Sequence, residues 1–144
     1  MSEQPRYPTV FATVDVVIEF NGKLLLGRKA SQKKFRFVGG FADPALDNSY
    51  EDAAKREARE ETSLSVSTVK YLGSTRIDDP RYRGTQDCII THLFLAEEWE
   101  GTPTASDDIA ELKWFPKDEI DHSTFVDEHH VLWDLYNSSS PVKG

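Results

Sequence analysis

The sequence predicts one α/β (α+β) domain in which helices cover a mixed β-sheet, and three observations support this prediction. The chain has 144 residues, the usual size of a single domain. Hydrophobic residues make up 38% of it, enough to bury an apolar core. Stretches with the alternation of strands are interleaved with two stretches of helical spacing, which favours a mixed sheet. We therefore expect one domain over residues 1–137 and a mobile tail over residues 138–144.

The first predicted element is a β-hairpin. Residues 11–20 alternate between apolar and polar side chains and are rich in β-branched types. Asn21 and Gly22 follow as the strongest short hairpin signal, because both residue types accept the backbone of a two-residue turn. Residues 23–28 then resume the strand pattern with three consecutive leucines.

A short strand and a helix are predicted next. The strand covers residues 35–38 and ends at the Gly-Gly pair that follows, where the backbone is free to turn. The helix covers residues 49–62, since Asn48 or Ser49 can cap it and acidic residues occupy its first turn. Three alanines inside this stretch also favour a helix.

The second half of the chain predicts two long strands, a short strand and a second helix. The long strands cover residues 66–75 and 87–97, with a loop rich in Arg and Asp between them. Residues 111–115 form the short strand, and a proline then opens a helical turn over residues 117–120. The second helix covers residues 125–136, where apolar and aromatic side chains recur near helical spacing.

Charge and cysteine content exclude several classes of protein. The formal net charge is −8, which argues against a nucleic-acid binder, because such proteins neutralise phosphates with Lys and Arg. The stretch from residue 21 to residue 42 nevertheless carries six basic residues and no acidic one. This asymmetry can steer a small anion, although from charge alone a solvated loop between strands is the more common explanation. The single cysteine, Cys88, fits a reducing cytoplasm, and we expect no membrane segment or export signal.

Three glutamates on the predicted first helix point to metal binding. Glu57, Glu60 and Glu61 fall within an arc of roughly 100°, so three like charges share one face. Divalent cations relieve such repulsion, and hard carboxylate oxygens suit Mg²⁺ or Mn²⁺ together with substrate phosphates. The alternative is a surface helix whose acids are balanced by neighbouring bases, namely Lys55, Arg56 and Arg59.

The same stretch resembles the Nudix box, G-x5-E-x7-R-E-U-x-E-E-x-G-U. The run Phe-Val-Gly-Gly-Phe precedes a helix that carries Arg-Glu-x-x-Glu-Glu. Five residues stand at the matching positions of the second half of the box: Arg56, Glu57, Glu60, Glu61 and Leu64. Three positions depart from it: Gly40 lies two residues too far upstream, Asn48 replaces the first Glu, and Ser63 replaces the late Gly. The loop before the helix is therefore predicted to be lengthened.

The resemblance covers nearly the whole chain and implies the Nudix α/β/α sandwich with a mixed β-sheet. Within the family, the chain is similar to the ADP-ribose pyrophosphatase-type Nudix domain that some bacteria fuse to nicotinamide-mononucleotide adenylyltransferase. Softer matches carry this second similarity: residues 39–41, residues 79–84 leading into residues 90–94, and residues 125–129. The related ADP-ribose enzymes are often dimers, so a homodimer is a candidate assembly by analogy.

The resemblance implies a reaction in which water attacks a phosphorus of a nucleoside diphosphate linked to another group. It implies Mg²⁺ (or Mn²⁺) as cofactor, held by Glu57, Glu60, Glu61 and the carbonyl of Gly39, with Glu60 or Glu61 also orienting the water. Arg56 is expected to pair with a helix carboxylate and hold the ligands in place. The general base is expected from Asp107 or Asp108, for which a simple turn is an equally open reading.

Candidate substrate contacts lie on either side of the box. Arg36 closes the basic stretch, whereas Arg81 and Arg83 offer bidentate contacts to phosphate or to the terminal ribose. Nearby aspartates leave simple pairing within the loop as the alternative for both of the latter. Phe41 can stack on adenine, although aromatic residues beside strands more often belong to the core.

The resemblance thus implies an enzyme that converts ADP-ribose to AMP and ribose 5-phosphate. One alternative is a house-cleaning pyrophosphohydrolase of damaged nucleoside triphosphates. A less favoured one is a module that binds ADP-ribose without hydrolysing it, because Nudix-like sensors tend to lose the glutamates that this chain keeps. The expected partner is a small nucleotide, with no nucleic acid and no membrane.

Overall fold

The computed structural model describes residues 7–139 and contains two α-helices and seven strands within them. The helices are α1 (Tyr50–Thr62) and α2 (His130–Ser139). The strands are β1 (Val10–Val17), β2 (Glu19–Phe20), β3 (Lys23–Lys29), β4 (Val38–Phe41), β5 (Ser65–Ile77), β6 (Cys88–Glu100) and β7 (Ile109–Pro116). None of the helices in this range is long and apolar enough to cross a membrane.

Two sheets build the domain, where the sequence predicted one. The first is mixed, with strand order β4-β1-β6-β5, and only its β1–β6 pair is parallel. The second is antiparallel, with order β2-β3-β7. The predicted first strand is divided between them, because the chain leaves the mixed sheet after Val17 and the carbonyl of Ile18 bonds to Leu25 in β3. The predicted turn is present, with positive φ at both Asn21 (52°) and Gly22 (75°).

The Gly-Gly pair lies inside a strand, so the prediction that it ends the strand is wrong. Gly39 and Gly40 belong to β4 and pair with Asp15 and Val14 of β1. A Cβ on Gly39 would lie 2.0 Å from the carbonyl oxygen of Val14, and one on Gly40 would lie 2.3 Å from Oε2 of Glu57. Close packing explains these glycines, and it brings the backbone of β4 against α1.

Helix α1 confirms the predicted helix and its cap. Oγ of Ser49 accepts a hydrogen bond from the amide of Asp52 at 3.0 Å. The helix ends at Ser63, which adopts the left-handed conformation (φ 66°) usually taken by glycine. Its alanines pack into an apolar cluster with Val14 and Val16 of β1. Because the alanine face of α1 packs against β1, Glu57 on the neighbouring face of the helix lies against the edge strand β4.

Helix α2 begins later and ends later than predicted. A 3₁₀ turn, Asp127–His129, precedes it, and the helix continues through Ser139. The first two residues of the predicted tail are therefore helical, and residues 140–144 lie outside the described range. A second apolar cluster joins α2 to Val17 and Leu93 of the mixed sheet. Because the two clusters lie on opposite sides of that sheet, the domain has the expected helix–sheet–helix layers.

Candidate active site

A cavity of about 470 Å³ opens between β4, α1 and the loop before β7, and we call it the acidic cavity. Seven carboxyl groups and three cationic side chains line it, with the glycines of β4. The acidic members are Asp15, Glu57, Glu61, Asp79, Asp107, Asp108 and Glu128, and the cationic members are Lys29, Arg36 and Arg81. This excess of carboxylates favours a divalent cation as a ligand of the cavity.

Two glutamates of α1 are buried at the wall of the acidic cavity. Glu57 is 7% exposed and Glu61 is 5% exposed. The amide of Gly39 donates to Oε1 of Glu61 at 2.9 Å, and the missing side chain of Gly40 leaves the space that the Glu57 carboxyl occupies. The backbone of β4 therefore holds both carboxyls, Glu61 through a hydrogen bond and Glu57 through close packing.

Burial raises the pKa of both carboxyls in the absence of a cation. Desolvation raises the pKa of Glu57 to about 7 and that of Glu61 to about 8, with smaller contributions from neighbouring carboxylates. For Asp108, partial burial opposes the shift, but Lys29 and a hydrogen bond from Glu61 lower the pKa. Buried carboxyls with raised pKa values around one cavity fit a divalent cation, which would replace the protons and stabilise the ionised forms.

The loop before β7 brings two further carboxylates to Glu61. One ligand oxygen from each of Glu61, Asp107 and Asp108 lies within 4.8 Å of the others. Two backbone hydrogen bonds fix this approach, from Thr104 to the carbonyl of Thr62 at 2.8 Å and from Ser106 to that of Glu61 at 3.2 Å. The loop is thus anchored to the last turn of α1. Only the folded chain shows this proximity, because nothing local in the sequence relates the two segments.

Arg56 organises the rim of the acidic cavity. Its Nε and Nη2 donate to the two carboxylate oxygens of Asp47, each at 2.8 Å, and Nη2 also donates to the carbonyl of Phe41 at 3.1 Å. Its Nη1 donates to Oε1 of Glu60 at 3.1 Å. The side chain of Glu60 is 43% exposed and does not line the cavity. Arg56 therefore links the loop before α1 to the carboxylate face of that helix.

Asp47 is a residue that the sequence analysis missed. The box pattern directs attention to Asn48, but Asn48 is exposed, whereas the Asp47 side chain is only 4% exposed. The hydrogen bonds from Arg56 hold the pKa of Asp47 below its ordinary value. The lengthened loop thus supplies its carboxylate one position earlier than the box pattern does.

The candidate substrate arginines differ in whether a carboxylate already binds the guanidinium. Among the described residues, Arg36 has no carboxylate within 4.0 Å, and Nη2 lies 3.3 Å from Nε2 of His129. Arg81 is bound by both oxygens of Asp79, and its guanidinium lies 5.7 Å from the ring centre of Phe41. Arg83 is bound in the same way by Asp78 and does not line the acidic cavity. Arg36 is therefore the arginine best placed to bind an anion.

A buried polar pair, Asp15 and His129, lies in the wall beside Arg36, and the sequence analysis did not identify it. Oδ2 of Asp15 accepts a hydrogen bond from the hydroxyl of Thr91 at 2.5 Å, and burial raises the pKa of this carboxyl to about 7. The amide of Phe37 donates to Nδ1 of His129 at 3.1 Å, and burial lowers the pKa of this imidazole well below its ordinary value. An acidic residue in an apolar alternating strand was the sequence signal for Asp15.

The raised pKa values predict a pH dependence of metal binding. Glu57 and Glu61 titrate near 7 and 8 in the folded protein against an ordinary value of 4.5, so the metal-free fold loses stability as pH rises through that window. A cation needs the ionised carboxylates, so the gain in Tm on adding Mg²⁺ or Mn²⁺ should be larger at about pH 8.5 than at about pH 6. Differential scanning fluorimetry measures both gains, and equal gains at the two pH values would contradict this assignment.

Comparison with known proteins connects this site to a family. The family model described as NUDIX domain matches residues 9–134. The oxidized purine nucleoside triphosphate hydrolase of Danio rerio is 30% identical over 121 residues, which cover 82% of this chain and 73% of that protein. The NAD-capped RNA hydrolase NudC of Mycobacterium tuberculosis is 30% identical over 111 residues, which cover 76% of this chain and 33% of NudC.

Solved structures share the fold. The E. coli ORF135 protein superimposes with a TM-score of 0.73 at 25% identity, over 91% of each chain. The NUDIX domain of Shewanella oneidensis NrtR, complexed with ADP ribose, gives a TM-score of 0.72 at 19% identity, over 92% of this chain and 89% of that one. The bifunctional NMN adenylyltransferase/ADP ribose pyrophosphatase of Francisella tularensis gives 0.66 at 21% identity, over 95% of this chain and 43% of that one. The family model spans most of the chain and the layers of the fold agree, so the chain belongs to the NUDIX hydrolase family.

Proposed function

We propose that this chain hydrolyses the pyrophosphate bond of a nucleoside diphosphate linked to another group, with ADP-ribose as its best substrate and AMP and ribose 5-phosphate as products. The observation that carries the proposal is the meeting of Glu57 and Glu61 of α1 with Asp107 and Asp108 in one cavity. A cavity rich in carboxylates with one free arginine can hold a divalent cation and a phosphate together.

The ligands of the proposed metal site are Glu57, Glu61 and the carbonyl of Gly39 in the acidic cavity, with Asp108 beside them. Glu60 joins this set only from the rim, where Arg56 holds its carboxylate. Mg²⁺ or Mn²⁺ bound there supplies charge neutralisation of the pyrophosphate and polarises the attacking water. Arg56 fixes the rim carboxylates through its bonds to Glu60 and to the loop before α1. These contacts keep the ligands in one arrangement, which lowers the reorganisation needed during the reaction.

Asp107 is the better placed of the two candidate bases. Nζ of Lys29 lies 3.3 Å from Oδ2 of Asp108, so this carboxylate is already paired. Among the described residues, no cation lies within 4.0 Å of Asp107, which is exposed at the mouth of the acidic cavity. Its backbone has φ 59°, the left-handed conformation of a tight turn. We assign it the removal of a proton from the attacking water.

Two features support a diphosphate substrate. Seven carboxyl groups and three cationic side chains line the acidic cavity, and the carboxyls that ionise when a cation binds repel a triphosphate more than a diphosphate, which carries fewer negative charges. The NUDIX domain of NrtR, which shares the fold, was crystallised with ADP ribose. The Danio rerio relative, by contrast, is named for oxidized purine nucleoside triphosphates. Hydrolysis of such triphosphates is therefore the second candidate.

A panel of nucleotides tests the proposal. ADP-ribose, other nucleoside diphosphate derivatives, ordinary triphosphates and 8-oxo-dGTP would be incubated with Mg²⁺ or Mn²⁺, and products separated by chromatography. We expect ADP-ribose to give the highest kcat/KM, with AMP and ribose 5-phosphate released in equal amounts. A higher kcat/KM for a triphosphate, with pyrophosphate as product, would support the second candidate and leave the metal site unaffected.

Arg36 is expected to contribute more to substrate binding than Arg81. Arg36→Ala should lower kcat/KM for ADP-ribose by roughly 10- to 100-fold, because a hydrogen bond to a charged group contributes about 1.5 to 3 kcal/mol. Arg81→Ala should have a smaller effect, since Asp79 already binds this guanidinium and its side chain is 62% exposed. Steady-state kinetics of both variants measure the ranking. A larger loss of kcat/KM for Arg81→Ala would indicate that the substrate phosphate binds near Arg81 and not near Arg36.

A further inference from the structure

A second concave surface lies where the two sheets separate, and it shares no residue with the acidic cavity. Its volume is about 770 Å³. We call it the tryptophan groove and define it by three aromatic residues, Phe20, Trp99 and Trp114, and three acidic ones, Glu97, Glu98 and Glu100. No part of the proposed hydrolysis uses these residues.

The aromatic residues of the tryptophan groove form one contiguous platform. The ring centres of Trp99 and Trp114 lie 6.1 Å apart, and that of Phe20 lies 6.0 Å from the ring centre of Trp99. Phe20 is nevertheless 55% exposed. A large apolar side chain left open beside two tryptophans is typical of a surface that another molecule covers.

The edge of strand β6 beside this platform has no partner strand among the described residues. Strand β1 pairs with β6 only as far as Val17 opposite Leu95, after which the chain passes into β2 of the other sheet. Strand β6 continues to Glu100 and is paired there only with β5. The amides and carbonyls on the free side can therefore bond to an added extended chain.

The negative charge of the tryptophan groove favours a basic chain. In the described part of the protein, no Lys, Arg or His side chain lies within 4.0 Å of the carboxylates of Glu97 and Glu100, and both residues are exposed. Nearby Glu19 is different, because Nζ of Lys117 lies 3.0 Å from its Oε2. Unpaired carboxylates beside tryptophan rings suit arginine and lysine, which form ion pairs and also stack on aromatic faces.

We propose that the tryptophan groove binds an extended basic segment of another protein, which adds a strand to the free edge of β6. The backbone of that segment supplies the hydrogen bonds of strand addition. Its arginine or lysine side chains pair with Glu97 and Glu100, and the side chains that alternate with them pack on the aromatic platform. This inference concerns association and does not depend on the proposed hydrolytic function.

A designed peptide tests the proposal. The probe is a blocked peptide of alternating arginine and valine, titrated into the full chain while tryptophan fluorescence is recorded. We expect saturable binding that weakens with salt, and an analogue N-methylated at alternate amides should bind at least about tenfold more weakly, because it cannot add a strand. Equal affinity for the unmodified and the N-methylated peptide would overturn strand addition. So would an equal fluorescence response to arginine amide at the same total concentration of arginine.

Matched variants localise the binding. Glu97→Gln/Glu100→Gln should weaken peptide binding by roughly fivefold or more, whereas Glu119→Gln, an exposed control, should not. Hydrolysis by all these variants should equal that of the wild type, because the groove and the acidic cavity share no residue. Unchanged peptide affinity in the double variant would overturn the proposal. Light scattering that shows a dimer dispersed by Phe20→Ser would also overturn it, since a second copy would then cover the groove.

Discussion

Glu61→Gln is expected to lower kcat for the best substrate by roughly 10²- to 10³-fold while the protein stays folded. Glutamine has nearly the same shape and can still accept the hydrogen bond from Gly39, so β4 and α1 keep their contact. The substitution removes the charge at the point where three carboxylates approach each other. The loss should therefore appear in metal binding and turnover.

The stability of this variant gives an independent readout. Burial raises the pKa of Glu61 to about 8, so in the metal-free protein this group opposes folding as pH rises from its ordinary value of 4.5 toward 8. Without metal, Glu61→Gln should consequently melt at the wild-type Tm or above it at neutral pH, and its Tm should respond little to Mg²⁺. Glu51→Gln, the same change on the exposed first turn of α1, is the control. Near-normal turnover by Glu61→Gln would contradict the assigned metal site.

Asp47→Asn is expected to lower both the stability and the activity of the protein. Asp47 binds Arg56 through both oxygens at 2.8 Å, and an amide can accept only one of these bonds while its NH₂ group faces the guanidinium. We expect the free energy of unfolding to fall by about 1.5 to 3 kcal/mol, because bonds between charged groups are lost. Activity should fall by roughly tenfold or more, since Arg56 also binds Glu60. Chemical denaturation and steady-state kinetics measure the two effects.

The neighbouring residue supplies the matched control for Asp47. Asn48→Glu would restore the glutamate of the box pattern at an exposed position, so activity should change by less than about tenfold. A large effect of Asn48→Glu combined with a small effect of Asp47→Asn would show that the loop pairs with Arg56 through residue 48.

Local signals explain why parts of the fold were predictable. Ser49 caps α1 through a contact three residues away, and Asn21 with Gly22 forms a two-residue turn, so both features are encoded over a few positions. Tertiary packing decided the features that were mispredicted. Gly39 and Gly40 suggested a turn, yet they serve the close approach of β4 to β1 and to Glu57, which only the folded chain reveals.

Part of the candidate site also follows from local sequence, and part depends on tertiary contacts. Glu57 and Glu61 share a helix face, so their proximity follows from helical spacing. Their meeting with Asp107 and Asp108 depends on a loop bonded to the end of α1, which a single sequence does not encode locally. The role of Asp47 was hidden for a third reason, because the lengthened loop moved the carboxylate away from the position where the box pattern has it.

If the acidic cavity performs metal-dependent hydrolysis of a pyrophosphate bond, removing the divalent cation should abolish product formation. Wild-type protein would be incubated with ADP-ribose in Mg²⁺ and, in parallel, in a chelator, and the products separated by chromatography. We expect equal amounts of AMP and ribose 5-phosphate in Mg²⁺ and neither product in the chelator. Release of the same products at the same rate in the chelator would contradict metal-dependent hydrolysis.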